Sequence, residues 1–249
     1  MLDQLAPAAS LLLLDLPGHG ASANTLACRR LEHAADHLCQ TFDSAGIERA
    51  HVMGTSFGGM VAQHFARRYP ERASSLIACM CVPVFDTAVP APGLTLRLMR
   101  LGFRFKRWPE WCRHFASQAS IDPKVVTRIE AEVAAHSASV RDAIWEAMTH
   151  GCRRNPDYWF ACPVAQVTAQ RDDRFPGAQA AMKRMATKIP AELRIELAGV
   201  GHSAWYEAPS LFAATVIQLL GRLERGCSPN ALLPLPAIPD SEEFVRAIH

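Results

Sequence analysis

Short apolar runs alternate along this chain with longer stretches in which apolar residues recur every three or four positions. Residues 11–14, four leucines in a row, and residues 50–53, 76–80, 163–168 and 193–197 read as strands. Residues 26–45, 59–69 and a last stretch from about Glu207 to Leu223 read as helices between and after them. Strands separated by helices predict one α/β domain. A long helical insertion, residues 84–161, divides residues 1–83 from 162–225. Within it, residues 94–108 show an amphipathic pattern. Leu94, Leu98, Leu101, Phe105 and Trp108 fall on one helical face, and Arg97, Arg100, Arg104 and Arg107 on the other. The simplest expectation turns the apolar face toward the body and the arginines toward water. A second helix is expected over about residues 123–150. The tail, 226–249, is rich in proline and cannot extend the last helix.

Chemistry enters at the end of the second strand. Gly54-Thr55-Ser56-Phe57-Gly58 fits G-x-S-x-G, with Gly59 next, a strand before and a helix after. That setting holds a serine in a strained turn with its hydroxyl clear of the sheet. Side chains at 54 and 58 are expected to collide with neighbouring backbone. The Phe57 N–H, at the helix start, would face the reacting oxygen as an oxyanion donor.

A serine hydroxyl is a weak nucleophile without a base and an acid to orient that base. The chain has ten histidines. His33 and His37 lie four apart on one helical face but have no cysteine or carboxylate partners, so they read as a solvated face and no metal is expected. His19, in the turn after residues 11–14, reads as loop packing. His202 differs, because Gly199-Val200-Gly201-His202-Ser203 follows a strand-like run and can carry the imidazole over the sheet edge. Strand 163–168 leads into Asp172 and Asp173; Asp172 is the first candidate acid and Asp173 the second. Glu207 reads as a charge at a helix N-terminus. The catalytic set is then Ser56, Asp172 and His202, in that chain order.

These segments, together with Asp15-Leu16-Pro17-Gly18-His19-Gly20-Ala21-Ser22, resemble the α/β-hydrolase superfamily, in its group with a helical cap. The resemblance runs from about residue 11 to 223. It implies a three-layer, mostly parallel sheet, with a core of residues 1–83 and 162–225 and a cap of 84–161, and a serine hydrolase working through an acyl-enzyme. Ala169 stands where the family usually has glycine, while Pro176 is retained. The family usually opens with a strand hairpin and a central strand ending in a His-Gly loop, which gives the second oxyanion donor. Residues 1–10 leave no room for these. The expectation is therefore an N-terminally truncated fold, poorly stable and nearly inactive as it stands. The competing reading is a catalytically impaired relative with an interaction role. Carbon–carbon bond hydrolysis and cofactor-free perhydrolysis on the same fold also stay open.

Composition narrows the field. A chain of 249 residues can bury one sizeable core, and a net charge of +2 does not suggest a nucleic-acid partner. The apolar run 11–14 is far too short for a membrane span, and no secretory leader is apparent. Eight cysteines without a C-x-x-C pair predict neither disulfides nor metal, which fits the cytoplasm. No cofactor is expected. The partner expected is a small acyl substrate, apolar because Leu98, Leu101, Phe105 and Trp108, with Trp111, Phe115, Tyr158, Trp159 and Phe160, would line the space above Ser56. Contact of the arginine-rich helix with an anionic membrane surface is the weaker alternative.

Overall fold

A computed structural model describes residues 1–23, 25–155, 157–172 and 178–226. A short helix α1 (Leu2–Leu5) is followed by α2 (Leu31–Ser44), β1 (Ala50–Thr55), α3 (Phe57–Arg68) and β2 (Ala73–Cys79). Four helices come next, α4 (Pro92–Arg104), α5 (Trp108–Ala119), α6 (Pro123–Ala134) and α7 (Ala138–Gly151). The chain then returns through β3 (Val164–Ala169), α8 (Ala178–Ala186), β4 (Arg194–Leu197), α9 (Ala204–Glu207) and α10 (Pro209–Glu224). The four strands pair in chain order and all are parallel. Parallel strands need helical crossovers on their faces, so the fold is a three-layer α/β sandwich. The middle strands read as unbroken apolar runs for the same reason: Leu76, Ile77, Ala165 and Val167 are all essentially inaccessible. Leu31 of α2, Phe65 of α3 and Phe212 of α10 close the core around them.

A buried amide fastens the chain where it leaves β2. Gln63, wholly buried in α3, donates from Nε2 to the Val82 carbonyl at 2.9 Å and accepts the Val84 N–H at 2.9 Å. Arg67, near the last turn of α3, lies 4.6 Å over the Phe85 ring and 4.8 Å over Tyr158. Arg67 lies eleven positions along the helix from Ser56, roughly 16 Å. Tyr158 and Phe160 therefore pack at the end of α3 remote from Ser56 and do not roof it.

Three sequence expectations are corrected. Residues 11–14 form no strand, and Leu11, Leu12 and Leu13 are exposed. A strand there would need partners for its N–H and C=O groups, and among the described residues β1 pairs with β2 alone. The helical stretch 123–150 is two helices, α6 and α7, broken at residues 135–137. The third correction concerns α4. The buried and half-buried apolar positions are Leu96, Met99 and Phe103, while Leu94, Leu98, Leu101 and Phe105 are 58%, 59%, 51% and 79% exposed. Two apolar stripes run along this helix, and the one that packs is the one Phe103 completes by meeting Trp111 and Trp145. Arg100 does not point into open water: it shares the Glu146 carboxylate with Arg29, at 2.8 and 2.7 Å. Trp108 is not on that face either. It begins α5, stacked on Trp111 at 5.3 Å, and Arg141 lies 5.6 Å over its ring. Leu98, Leu101 and Phe105 thus face solvent rather than the body. No helix among the described residues is long and apolar enough to cross a membrane.

The two stripes of α4 separate in a stability measurement. Leu96→Ala should lower unfolding free energy by about 2 kcal/mol through lost burial and the cavity it leaves. Leu98→Ala should change it by no more than about 0.5 kcal/mol. Urea titrations with equal slopes check both; the reverse ranking would mean the outer stripe is the packed one.

Candidate active site

Ser56 lies between β1 and α3 with φ 51° and ψ −120°, a backbone conformation that a non-glycine residue holds only under constraint. Its neighbours impose that constraint. A Cβ on Gly54 would run into the Gly58 carbonyl group and sit 2.5 Å from the Gly59 nitrogen. A Cβ on Gly59 would be 2.5 Å from Cys81 Sγ and 2.8 Å from the Gly54 oxygen. At Gly58 a Cβ would meet nothing within 4 Å, so the expected collision at 58 belongs to 59. The Ser56 N–H donates to the Cys79 carbonyl at 2.9 Å, which fixes the turn to the end of β2. Phe57 follows as the first residue of α3, and its ring stacks with His19, centroids 6.3 Å apart. His19 also meets His136 of the insertion at 5.6 Å. Burial holds the His19 imidazole below its usual pKa, and the nearby His136 adds to this.

Asp172 leaves β3 and His202 leaves β4 at the same edge of the sheet that carries Ser56. Both are buried, and His202 Nδ1 is 2.8 Å from Asp172 Oδ2. A carboxylate only accepts, so Nδ1 carries the proton in this pair and Nε2, itself shielded from solvent, is left as the basic nitrogen. Local backbone bonds hold the two turns together. Gln170 N–H donates to Leu197 O at 2.9 Å, Arg171 N–H to Val200 O at 3.1 Å, and Gly199 N–H to Gln170 Oε1 at 2.9 Å. Gln179 of α8 donates to the Asp172 carbonyl at 2.9 Å. The Trp205 ring meets the His202 imidazole edge-on at 6.2 Å. Asp173, the second candidate acid, lies outside the described residues. The structure therefore brings Asp172 and His202 into contact and sets Ser56 on their edge, with β1 roughly 10 Å from β3 across the sheet.

Other groups near the turn are chemically quiet. Burial pushes the Cys81 thiol up to about 12, so it stays protonated beside Gly59. His33 and His37 are both exposed on α2, and among the described residues no cluster of three or more His, Cys, Asp or Glu side chains could hold a metal ion. The sequence alone did not single out Gln63, Gln170 or Gln179. A glutamine carries no motif, and its role here is set by which backbone groups the fold leaves unpaired.

The sequence model of the alpha/beta hydrolase family matches residues 1–215. A 75-residue segment is 45% identical to the dihydrolipoyllysine-residue acetyltransferase component of the acetoin cleaving system of Cupriavidus necator; it covers 30% of this chain and 20% of that protein. The 2-hydroxy-6-oxononadienedioate/2-hydroxy-6-oxononatrienedioate hydrolase of Burkholderia vietnamiensis is 26% identical over 221 residues, 85% of this chain and 76% of that protein. Among solved structures, a thermophilic esterase from Thermogutta terrifontis superposes with a TM-score of 0.72 at 22% identity, covering 84% of this chain and 78% of the esterase. That likeness is one of fold.

The glycines of the turn should differ in tolerance. Gly54→Ala and Gly59→Ala should abolish soluble folded protein or cost several kcal/mol, because the added methyl meets backbone or a buried thiol. Gly58→Ala should melt within a few degrees of the parent. Thermal denaturation of the three variants checks this, and an intolerant Gly58 with a tolerant Gly54 would reverse the account of the turn.

Proposed function

The chain belongs to the alpha/beta hydrolase family, and from that premise we propose that it is a serine hydrolase cleaving a carboxylic ester or related acyl bond through an acyl-enzyme. The observation that carries the reading is the strained Ser56 on the same sheet edge as the buried Asp172–His202 pair. In the proposed cycle, Ser56 Oγ attacks the acyl carbon while His202 Nε2 takes its proton. The oxyanion that forms accepts the Phe57 N–H, a donor type whose loss typically costs about 10²–10³ in rate. The tetrahedral species then expels the alcohol, which receives the proton from His202. Water, deprotonated by the same nitrogen, releases the acid and restores the serine. Asp172 holds the imidazole in the productive tautomer throughout. Helices α4–α7 would act as the cap over this edge, with the cytoplasm as the site of action and a small acyl compound as substrate.

Carbon–carbon bond hydrolysis is the second reading, favoured by the relative matched along 85% of this chain, whose name is that of an oxo-dienedioate hydrolase and not of an esterase. Here too Ser56, Asp172 and His202 would be the working set, so substrate choice separates the readings. The parent is assayed on short p-nitrophenyl esters and on a 2-hydroxy-6-oxo-dienoate; turnover of the second alone would overturn the ester reading.

Two substitutions test the roles. Ser56→Ala should lower turnover by about 10³–10⁶-fold and abolish labelling by a fluorophosphonate. Persistent labelling in that variant would falsify the assignment of the nucleophile. Asp172→Asn should cost about 10²–10⁴ in kcat while leaving Ser56 in place, because the wrong tautomer is then favoured. An Asp172→Asn enzyme with parental kcat would remove Asp172 from the set.

A further inference from the structure

The loop that carries His202 is bonded to the helical insertion as well as to the sheet. Glu207, the last residue of α9, accepts the Gly201 N–H on Oε2 at 2.6 Å. Its other oxygen, Oε1, accepts the Ser120 hydroxyl at 2.6 Å and the Ile121 N–H at 3.3 Å. Ser120 Oγ in turn accepts the Asp122 N–H at 3.1 Å, and the Ser203 N–H donates to Ala119 O at 3.0 Å. One carboxylate thus spans the residue before His202 and the junction between α5 and α6. Gly201 is shaped for it, since a Cβ there would sit 2.9 Å from Glu207 Oε1. The neighbouring Tyr206 strengthens the same joint. Its ring packs on Ala116, Ala119, Val125 and Ile129, and its hydroxyl donates to Glu132 of α6.

We infer that Glu207 is a positioning residue that locks the His202 loop to the α5–α6 junction, so that the general base moves with the insertion. Asp172 holds the imidazole through Nδ1, and the backbone before His202 is held by the Gly199 N–H on Gln170 and the Gly201 N–H on Glu207. With Glu207 removed, the Gly201 N–H, the Ser120 hydroxyl and the Ile121 N–H lose a common acceptor, and the Ser203 N–H to Ala119 O bond is left to tie the loop to the junction. A displacement of the base by about 1 Å is enough to cost about 10²-fold in turnover. The proton-transfer part of this inference rests on the serine-hydrolase reading above; the mechanical coupling does not.

The test compares Glu207→Ala, Glu207→Gln and Ser120→Ala in the full chain, with p-nitrophenyl acetate turnover, fluorophosphonate labelling rate at Ser56, and amide hydrogen exchange read by mass spectrometry. Glu207→Ala should lower kcat and labelling rate together by about 10–100-fold with KM within about twofold of the parent. Glu207→Gln keeps an acceptor for Gly201 and should stay within about threefold. Exchange should rise together over residues 119–122 and 201–203 in Glu207→Ala, while β2 and β3 stay protected. Parental turnover in Glu207→Ala, or faster exchange in only one of the two segments, overturns the coupling. Should Glu207→Ala fail to fold, Ser120→Ala decides. A fall in kcat with faster exchange at 201–203 supports the inference, and parental values of both sink it. If the parent neither labels nor turns over ester, the serine reading has failed and the exchange arm alone judges the coupling.

Discussion

Helix α3 lies so close to β1 that two positions at their junction have no room for a side chain. Gly54 and Gly59 face each other's backbone there, with Cys81 Sγ filling the remaining space. This close approach is the constraint from which the rest of the edge follows. It forces the residue between strand and helix into a positive φ, which lifts Ser56 out of the sheet surface. It aims the start of α3 at the space beside that serine. It also brings Gln63, one turn further along, against the chain leaving β2, where its buried amide pairs with the Val82 carbonyl and the Val84 N–H.

The other two members of the set come from loops, and loops are held differently. Asp172 and His202 sit on turns whose backbones are cross-bonded through Gln170, Arg171, Val200 and Gly199. Parallel strands place all these turns at one edge without any long-range design beyond the strand order. A serine set by backbone sterics therefore shares one sheet edge with a His202–Asp172 pair set by hydrogen bonds. The first arrangement is rigid wherever the sheet is intact; the second is only as rigid as its acceptors.

The parts legible in the sequence were those written locally. The turn of residues 54–59, the pairing of Asp172 after β3 with His202 after Gly201, and the edge they share were each expected from a few neighbouring residues. The faces of α4 were not legible, because Leu94, Leu98, Leu101 and Phe105 share the helical period with Leu96, Met99 and Phe103. Periodicity cannot choose between two stripes, and the arginines misled because Arg100 reaches across to Glu146. Other signals were present and underused. Asp122 and Pro123 mark the start of α6, Ser137 precedes α7, and Pro109 with Glu110 marks α5. The leucines at 11–14 show the opposite limit, since an apolar run becomes a strand only where a neighbour offers hydrogen bonds. Glu207, read as a charge at a helix N-terminus, instead ends α9; Gly201 is six positions away, but its partners in the insertion stand 86 and 87 positions away, which local pattern does not show.

The two ends of the insertion are tied to the body by bonds of different physical kinds. At α4 and α7 one tie is a carboxylate, Glu146, shared by Arg29 and Arg100, whose side chains are 52% and 54% exposed, beside the buried contact of Gly151 with Leu31 and His64. Attraction between charges that water reaches is weak and fades as counter-ions crowd in, with a screening length near 8 Å at physiological ionic strength. At α5 and α6 the tie runs through uncharged N–H and O–H donors at 2.6–3.3 Å, where screening has little to act on. Added salt therefore weakens the Arg29–Glu146–Arg100 contact first, and spares both the buried packing of α7 on α2 and α3 and the bonds that hold the imidazole loop.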